Sequence, residues 1–164
     1  NITNNNQKVN INLFLNDKCK DAMTLNDFIN NIEISLKNLL TTKSKGLAIG
    51  ISEIIYENIN KLSIYERPIH CTDKKREILY IKNDKWEKDN SKERTKELFK
   101  DLQCQQFKHM QEWINNNPDY MKNDDLKHEY IQLVNKCSES LNEHENKILK
   151  NLCNETYLND EIIK

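Results

Sequence analysis

Residues 67–86 read RPIHCTDKKREILYIKNDKW, and the reading of this stretch decides the fold. Pro68 holds Arg67 toward extended geometry. Ile69-His70-Cys71 then reads as a short strand, Thr72 to Arg76 as a polar turn. Glu77 to Lys82 reads as a second strand, either alternating or buried on both faces through Ile78-Leu79-Tyr80-Ile81. Asn83-Asp84 turns the chain again and Lys85-Trp86-Glu87 returns, which predicts a small antiparallel meander. The flanks read mainly as helix. The expected fold class is therefore α+β, mostly helical with a small antiparallel β-meander.

Upstream, residues 1–10 (NITNNNQKVN) are polar and of low complexity, and read as the disordered end of an Asn-rich linker. The chain opens without a methionine, so it is expected to be the C-terminal piece of something longer. Residues 11–164 are expected to form a single α+β domain, with Ile11-Asn12-Leu13-Phe14-Leu15 as a short strand. Thr24 is placed to cap a helix, with Asp27 three residues on and Met23 and Phe28 spaced as a hydrophobic staple. Leu25, Phe28, Ile29, Ile32, Leu36, Leu39 and Leu40 predict one apolar helical stripe, broken by Thr41 to Gly46. A second helix is expected over 47–62, where Gly50 implies close approach of another element. A long helix opens near Ser91 and stops at Asn115-Asn116-Asn117-Pro118; two more follow from Asp124 and from about Asn142.

The 164 residues suffice to bury a core. The 25 Asn and 19 Ile, against two Ala, two Gly and two Pro, have the bias of AT-rich codons and carry little functional weight. A net charge of −1 gives no global pull toward nucleic acid. The charge is unevenly spread, however: residues 74–100 carry ten basic and six acidic side chains, and residues 101–164 carry seven and twelve. Five scattered cysteines, without a signal peptide or a long apolar run, read as free thiols of a soluble protein in a reducing compartment. No membrane association is expected.

His70 and Cys71 are adjacent on a strand, so their side chains point to opposite faces and do not form a thiolate–imidazole pair. The plainer reading makes Cys71 a core residue and gives His70 a structural hydrogen bond. Asp73 with Lys74, Lys75 and Arg76 forms either an exposed recognition turn for phosphate or carboxylate, with Arg67 nearby, or an ordinary charged hairpin turn. Cys-x-x-Cys and His pairs at helical spacing are absent from the sequence, so no metal and no cofactor are expected. The aromatic residues at helical spacing read as packing rather than as base-stacking platforms.

Several segments together resemble a group of uncharacterised giant-virus (mimivirus-like) proteins. They are the Asn-rich lead-in, Ile11 to Asn16 with Cys19 to Met23, Gly46 and Gly50-Ile51-Ser52, and above all RPIHCTDKKREILYIKNDKWEKD. The resemblance covers about residues 7–160 and departs at 136–142, where that group carries a small Gly-rich turn. It implies a C-terminal domain behind an N-terminal Cys2His2-type zinc finger, a coiled coil and an Asn-rich linker. It also implies a viral protein that binds nucleic acid through the finger and resides in the host cytoplasm (the viral factory) or the virion. None of the finger's ligands falls within these residues.

Three functions follow, in this order. The first is a non-enzymatic self-association and docking domain, a dimer favoured, with Leu98, Phe99, Leu102, Phe107, Trp113, Tyr130 and Leu133 at the interface. The second is direct binding of DNA or RNA by Arg67, Lys74, Lys75, Arg76, Lys82, Lys85 and Lys88, which requires one continuous basic face. The third is a nuclease-like enzyme using His70 and Asp73, which requires the two to converge in a cleft.

Overall fold

The meander forms as read. In the computed structural model, which describes residues 2–163, β1 (Ile69–Asp73), β2 (Ile78–Lys82) and β3 (Trp86–Lys88) make one antiparallel sheet in the order β1-β2-β3. Ile69 lies opposite Ile81 and His70 opposite Tyr80, and a bulge between Cys71 and Asp73 brings Asp73 opposite Ile78. Tyr80 lies opposite Lys88 and Lys82 opposite Trp86. The remainder is helical: α1 (Ile2–Leu13), α2 (Leu25–Asn30), α3 (Leu36–Lys45), α4 (Leu47–Ile59), α5 (Glu93–Asn116), α6 (Asp124–Cys137), α7 (Glu145–Thr156) and a short α8 (Asp160–Ile163). No described helix is long and apolar enough to cross a membrane.

The sheet separates two apolar clusters. Ile69, Cys71, Leu79 and Ile81 face the main core with Ile51, Ile54 and Ile55 of α4, Leu98, Phe99 and Leu102 of α5, and Ile148 and Leu152 of α7. On the other face Tyr80 and Trp86 join Phe14, Leu15, Cys19, Ala22 and Leu158. The alternation in β2 gives one buried row and one half-buried row, whereas Ile69, His70 and Cys71 of β1 are all buried. A third cluster joins Leu39 of α3, Met110 and Trp113 of α5, and Leu133 and Cys137 of α6. There Trp113, Tyr120 and Tyr130 pack ring to ring, with centroids 4.9 to 5.9 Å apart.

Three expectations are corrected. The stripe over 25–40 is divided: α2 ends at Asn30 and α3 begins after Ser35. Ser35 and Asn38 form a reciprocal capping box, with Asn38 N–H donating to Ser35 Oγ at 3.2 Å and Ser35 N–H to Asn38 Oδ1 at 2.8 Å. Across the gap the buried Asn58 amide pairs with Glu33, accepting from its N–H and donating to its carbonyl, both at 3.0 Å. This tertiary pairing holds the segment out of helix although its apolar spacing would permit one. The strand expected at Ile11–Leu15 is also absent. The chain stays helical from α1 into a π-helical turn (Phe14–Lys18), closed by Cys19 N–H donating to the Phe14 carbonyl five residues back at 3.1 Å. A strand would send Phe14 and Leu15 to opposite faces, whereas the turn buries both. Residues 2–10, expected to be the disordered end of a linker, are instead helical and make up most of α1.

Other signals hold. Thr24 Oγ1 accepts from Asp27 N–H at 3.1 Å, and α5 ends at Asn116. α3 runs on to Lys45, past the break expected at Thr41, and Gly46 (φ 96°) turns the chain into α4. Gly50 is a close-approach glycine: a Cβ there would lie 1.8 Å from Thr42 Oγ1 of α3.

Candidate association surface

The two ends of the meander place the basic residues apart. Lys74, Lys75 and Arg76 form the exposed β1–β2 turn, where Asp73 Oδ1 accepts Arg76 N–H at 2.9 Å and Lys74 Nζ sits 4.7 Å from the centre of the Tyr157 ring. Arg67, Lys82 and Lys85 lie at the opposite end, about 13 Å away along a strand rising about 3.3 Å per residue. Two of these are engaged within the fold. Arg67 Nε donates to the Leu62 carbonyl at 3.3 Å and its guanidinium to Asn60 Oδ1 at 3.2 Å; Lys82 Nζ donates to the Lys20 carbonyl at 2.9 Å. Lys85 and Lys88 are exposed. Six of the seven cations thus fall at the two ends of the meander, and Lys88, opposite Tyr80, lies midway between them on β3.

His70 and Asp73 do not converge. The His70 ring is buried between Phe14 and Trp86, with centroids 6.0 and 5.5 Å away, and its Nε2 lies 3.9 Å from Cys19 Sγ. Burial pushes its pKa down to about 4, and the Arg67 charge acts in the same sense; hydrogen bonding with the backbone of Ile64 and Thr156 opposes both. Burial likewise pushes the Cys19 thiol up to about 11. Asp73 sits at the hairpin end, occupied with the Arg76 amide. Among the described residues, no group of three or more His, Cys, Asp or Glu side chains is arranged to hold a metal ion.

The side chains expected at an association surface lie mostly inside the chain's own fold. Leu98, Phe99, Leu102, Trp113 and Leu133 are buried, Tyr130 is half-buried against Trp113, and Phe107 alone of the set is exposed, at 39%. The expectation is corrected for a physical reason: the stripe on α5 is already covered by α2, α3, α4, α6 and α7 of the same chain. A helical stripe shows that a face is covered, and does not show by what.

Exposed apolar side chains occur on several elements, Met121 and Ile131 among them, and two of the most exposed lie on α1. Every described side chain from Asn5 to Leu13 except Ile11 is exposed, including Val9 at 55% and Leu13 at 60%. These two stand one turn apart on α1. Beside them Tyr65, 50% exposed, faces a groove of about 190 Å³ lined also by Asn10, Leu13, Phe14, Ile162 and Ile163. Ile11 joins the cluster beneath the sheet, and Gln7 Nε2 donates to Asp160 Oδ1 at 3.3 Å; these contacts tie α1 to the body.

Two functional details had weak sequence signals. Asp89, buried just after β3, accepts Thr95 N–H at 3.0 Å and the Thr95 hydroxyl at 2.6 Å, and so caps α5 from outside it. Its only sequence signal is a carboxylate ahead of Ser91. In the main core Cys71 and Cys153 are buried in the same cluster, and the influence of each thiol on the other lowers the Cys71 pKa and raises that of Cys153. Their separation of 82 positions gives no hint of it. No protein-family model, curated protein or solved structure matches this chain.

Proposed function

We propose that this chain is a non-enzymatic self-association domain and that a second copy docks along α1. The observation that carries this reading is the exposed apolar strip of Val9 and Leu13 on a helix whose described side chains, from Asn5 on, turn inward only at Ile11. Five of the twelve residues of α1 are asparagine, a weak helix former, and isolated helices shorter than ~12–15 residues are marginal in water. Packing supplied by another chain stabilises such a helix. A second copy fits because Lys8 is the only charged residue in α1, so two of these helices meet with little like-charge repulsion. On the same reading, and following the resemblance to giant-virus proteins, the domain oligomerises a viral DNA-binding protein in the host cytoplasm or the virion.

Light scattering at low and high salt tests the reading. The expected result is a dimer, twice 19.6 kDa, at both salts, because apolar contact is not screened. Leu13→Asp is expected to give the monomer with its circular dichroism otherwise kept. A wild-type monomer at up to 100-micromolar order of concentration, as weak as a Kd on the order of 100 µM would allow, excludes it. A dimer that dissolves with salt and ignores Leu13→Asp refers association to the charged surfaces instead.

A further inference from the structure

The π-helical turn closes over His70. Its first residue, Phe14, packs edge to face on the imidazole with centroids 6.0 Å apart, and Cys19, just past its end, brings Sγ to 3.9 Å from Nε2. Cys19 N–H donates to the Phe14 carbonyl at 3.1 Å, and Trp86 Nε1 pins the same residue by donating to the Cys19 carbonyl at 3.0 Å. The turn continues directly from α1, so the cover over His70 and the exposed helix are one segment. Among the described residues that segment is held by the inward side chains of Ile11, Phe14, Leu15 and Cys19 and by the Gln7–Asp160 hydrogen bond.

Nothing around the ring is placed to pair with an imidazolium. The titratable groups that face it are Cys19 on the turn, Tyr80 opposite it on β2, Tyr65 against Phe14, and Arg67 ahead of β1, whose charge opposes protonation. Ile64 and Thr156 meet the ring through their backbones, and the Lys82 charge acts on Cys19. Asp17 and Lys18 of the turn are exposed, as are Glu87 and Lys88 beside Trp86. A neutral ring therefore suits the closed turn and a charged one does not.

We propose that His70 is an acid-operated latch on α1: the closed turn covers the neutral ring, and a proton taken when the turn swings off the sheet keeps it from closing again. The buried ring needs no path for the proton, because the opening that uncovers it is the event that acid favours. The uncovered imidazole titrates near 6.5 and the covered one at about 4. From pH 7 to pH 5 the ratio of open to closed turn thus rises about twentyfold, and it returns on neutralisation. Residues 2–19 alone have to move, so the release precedes global unfolding. On the reading of α1 as the docking helix, acid also draws the Val9–Leu13 strip away from the groove beside it and weakens the dimer.

Amide exchange of the folded wild-type chain at pH 7 and pH 5 tests the latch, read as protection relative to the unfolded chain so that the intrinsic pH dependence cancels. The Cys19 amide, bonded to Phe14, is expected to lose about twentyfold in protection between the two. It is also expected to be less protected than the β2 amides and indifferent to dilute urea, the marks of local opening. His70→Gln is expected to remove the pH dependence. Equal Cys19 protection at the two pH values overturns the proposal, as does exchange of Cys19 and β2 at one common protection with one urea dependence. The wild-type comparison needs no substitution, so a variant that fails to fold leaves the answer intact. Light scattering at both pH values separates the two readings: a monomer throughout, with Cys19 protection lost at pH 5, upholds the latch and removes the docking reading.

Discussion

Acid should loosen this protein well above the pH at which its carboxylates titrate, and His70 is the reason. The ring is enclosed by Phe14 and Trp86, with Cys19 Sγ against Nε2 and the Arg67 charge nearby, so protonation in place is opposed and the pKa falls to about 4. In the unfolded chain the same imidazole titrates near 6.5. As pH falls, the unfolded state binds the proton first. The stabilisation is complete above about 6.5, is lost progressively between 6.5 and 4, and is not lost further below that. At about 1.36 kcal/mol per pH unit the limiting loss is about 3 kcal/mol, and about 2 kcal/mol of it is gone by pH 5. Urea unfolding at pH 7 and pH 5, followed by circular dichroism, measures it. His70→Gln is expected to be less stable than the wild type at pH 7 but to lose about 2 kcal/mol less on going to pH 5. Parallel losses in the two proteins would refute the reasoning, as would a His70 NMR titration midpoint near 6.5. Below about pH 4.5 Glu57 and Glu139, whose pKa values are lowered by their hydrogen-bond partners against opposing burial, take over the acid sensitivity.

The packing carries further expectations. Gly50→Ala puts a methyl 1.8 Å from Thr42 Oγ1 and should destabilise by about 1–3 kcal/mol or more in urea unfolding; Thr42→Ala should recover only part of the loss, because the Cβ and Cα of residue 42 would still lie 2.8 and 3.0 Å from the new methyl. Asp89→Ala strips the cap from α5 and leaves Thr95 buried without its acceptor; about 1–3 kcal/mol should be lost, and Asp89→Asn should lose less. Gln106 Oε1 has no hydrogen-bond partner, although its Nε2 donates to Thr42 Oγ1 at 2.7 Å. Gln106→Met should therefore lie within about 1 kcal/mol of wild type, whereas Gln106→Ala, which leaves a cavity, should cost about 1–3 kcal/mol. Replacing exposed Lys75 and Arg76 by Ser should change the unfolding free energy by less than about 0.5 kcal/mol, because the turn is closed by the Asp73 carboxylate accepting the Arg76 backbone N–H and not by these charges.

The elements whose causes are local are legible from residue order alone. Pro68 with the alternation that follows set the meander, Thr24 with Asp27 set the start of α2, and the Asn115–Pro118 run set the end of α5. Gly50 announced a close approach because glycine inside a helix is unfavourable unless something must come near. Opposite faces for His70 and Cys71 followed from strand geometry alone, and the two do enter different clusters. Tertiary structure decided the rest. The gap between α2 and α3 depends on Asn58 reaching back to Glu33, and the π-helical turn depends on burying Phe14 and Leu15 together beneath the sheet. Whether the α5 stripe met a second chain or its own could not be read from periodicity, since burial leaves the same pattern in both cases. The exposure of Val9 and Leu13 and the joint burial of Cys71 and Cys153 in the main core are likewise set by how distant segments pack, a property that no local pattern encodes.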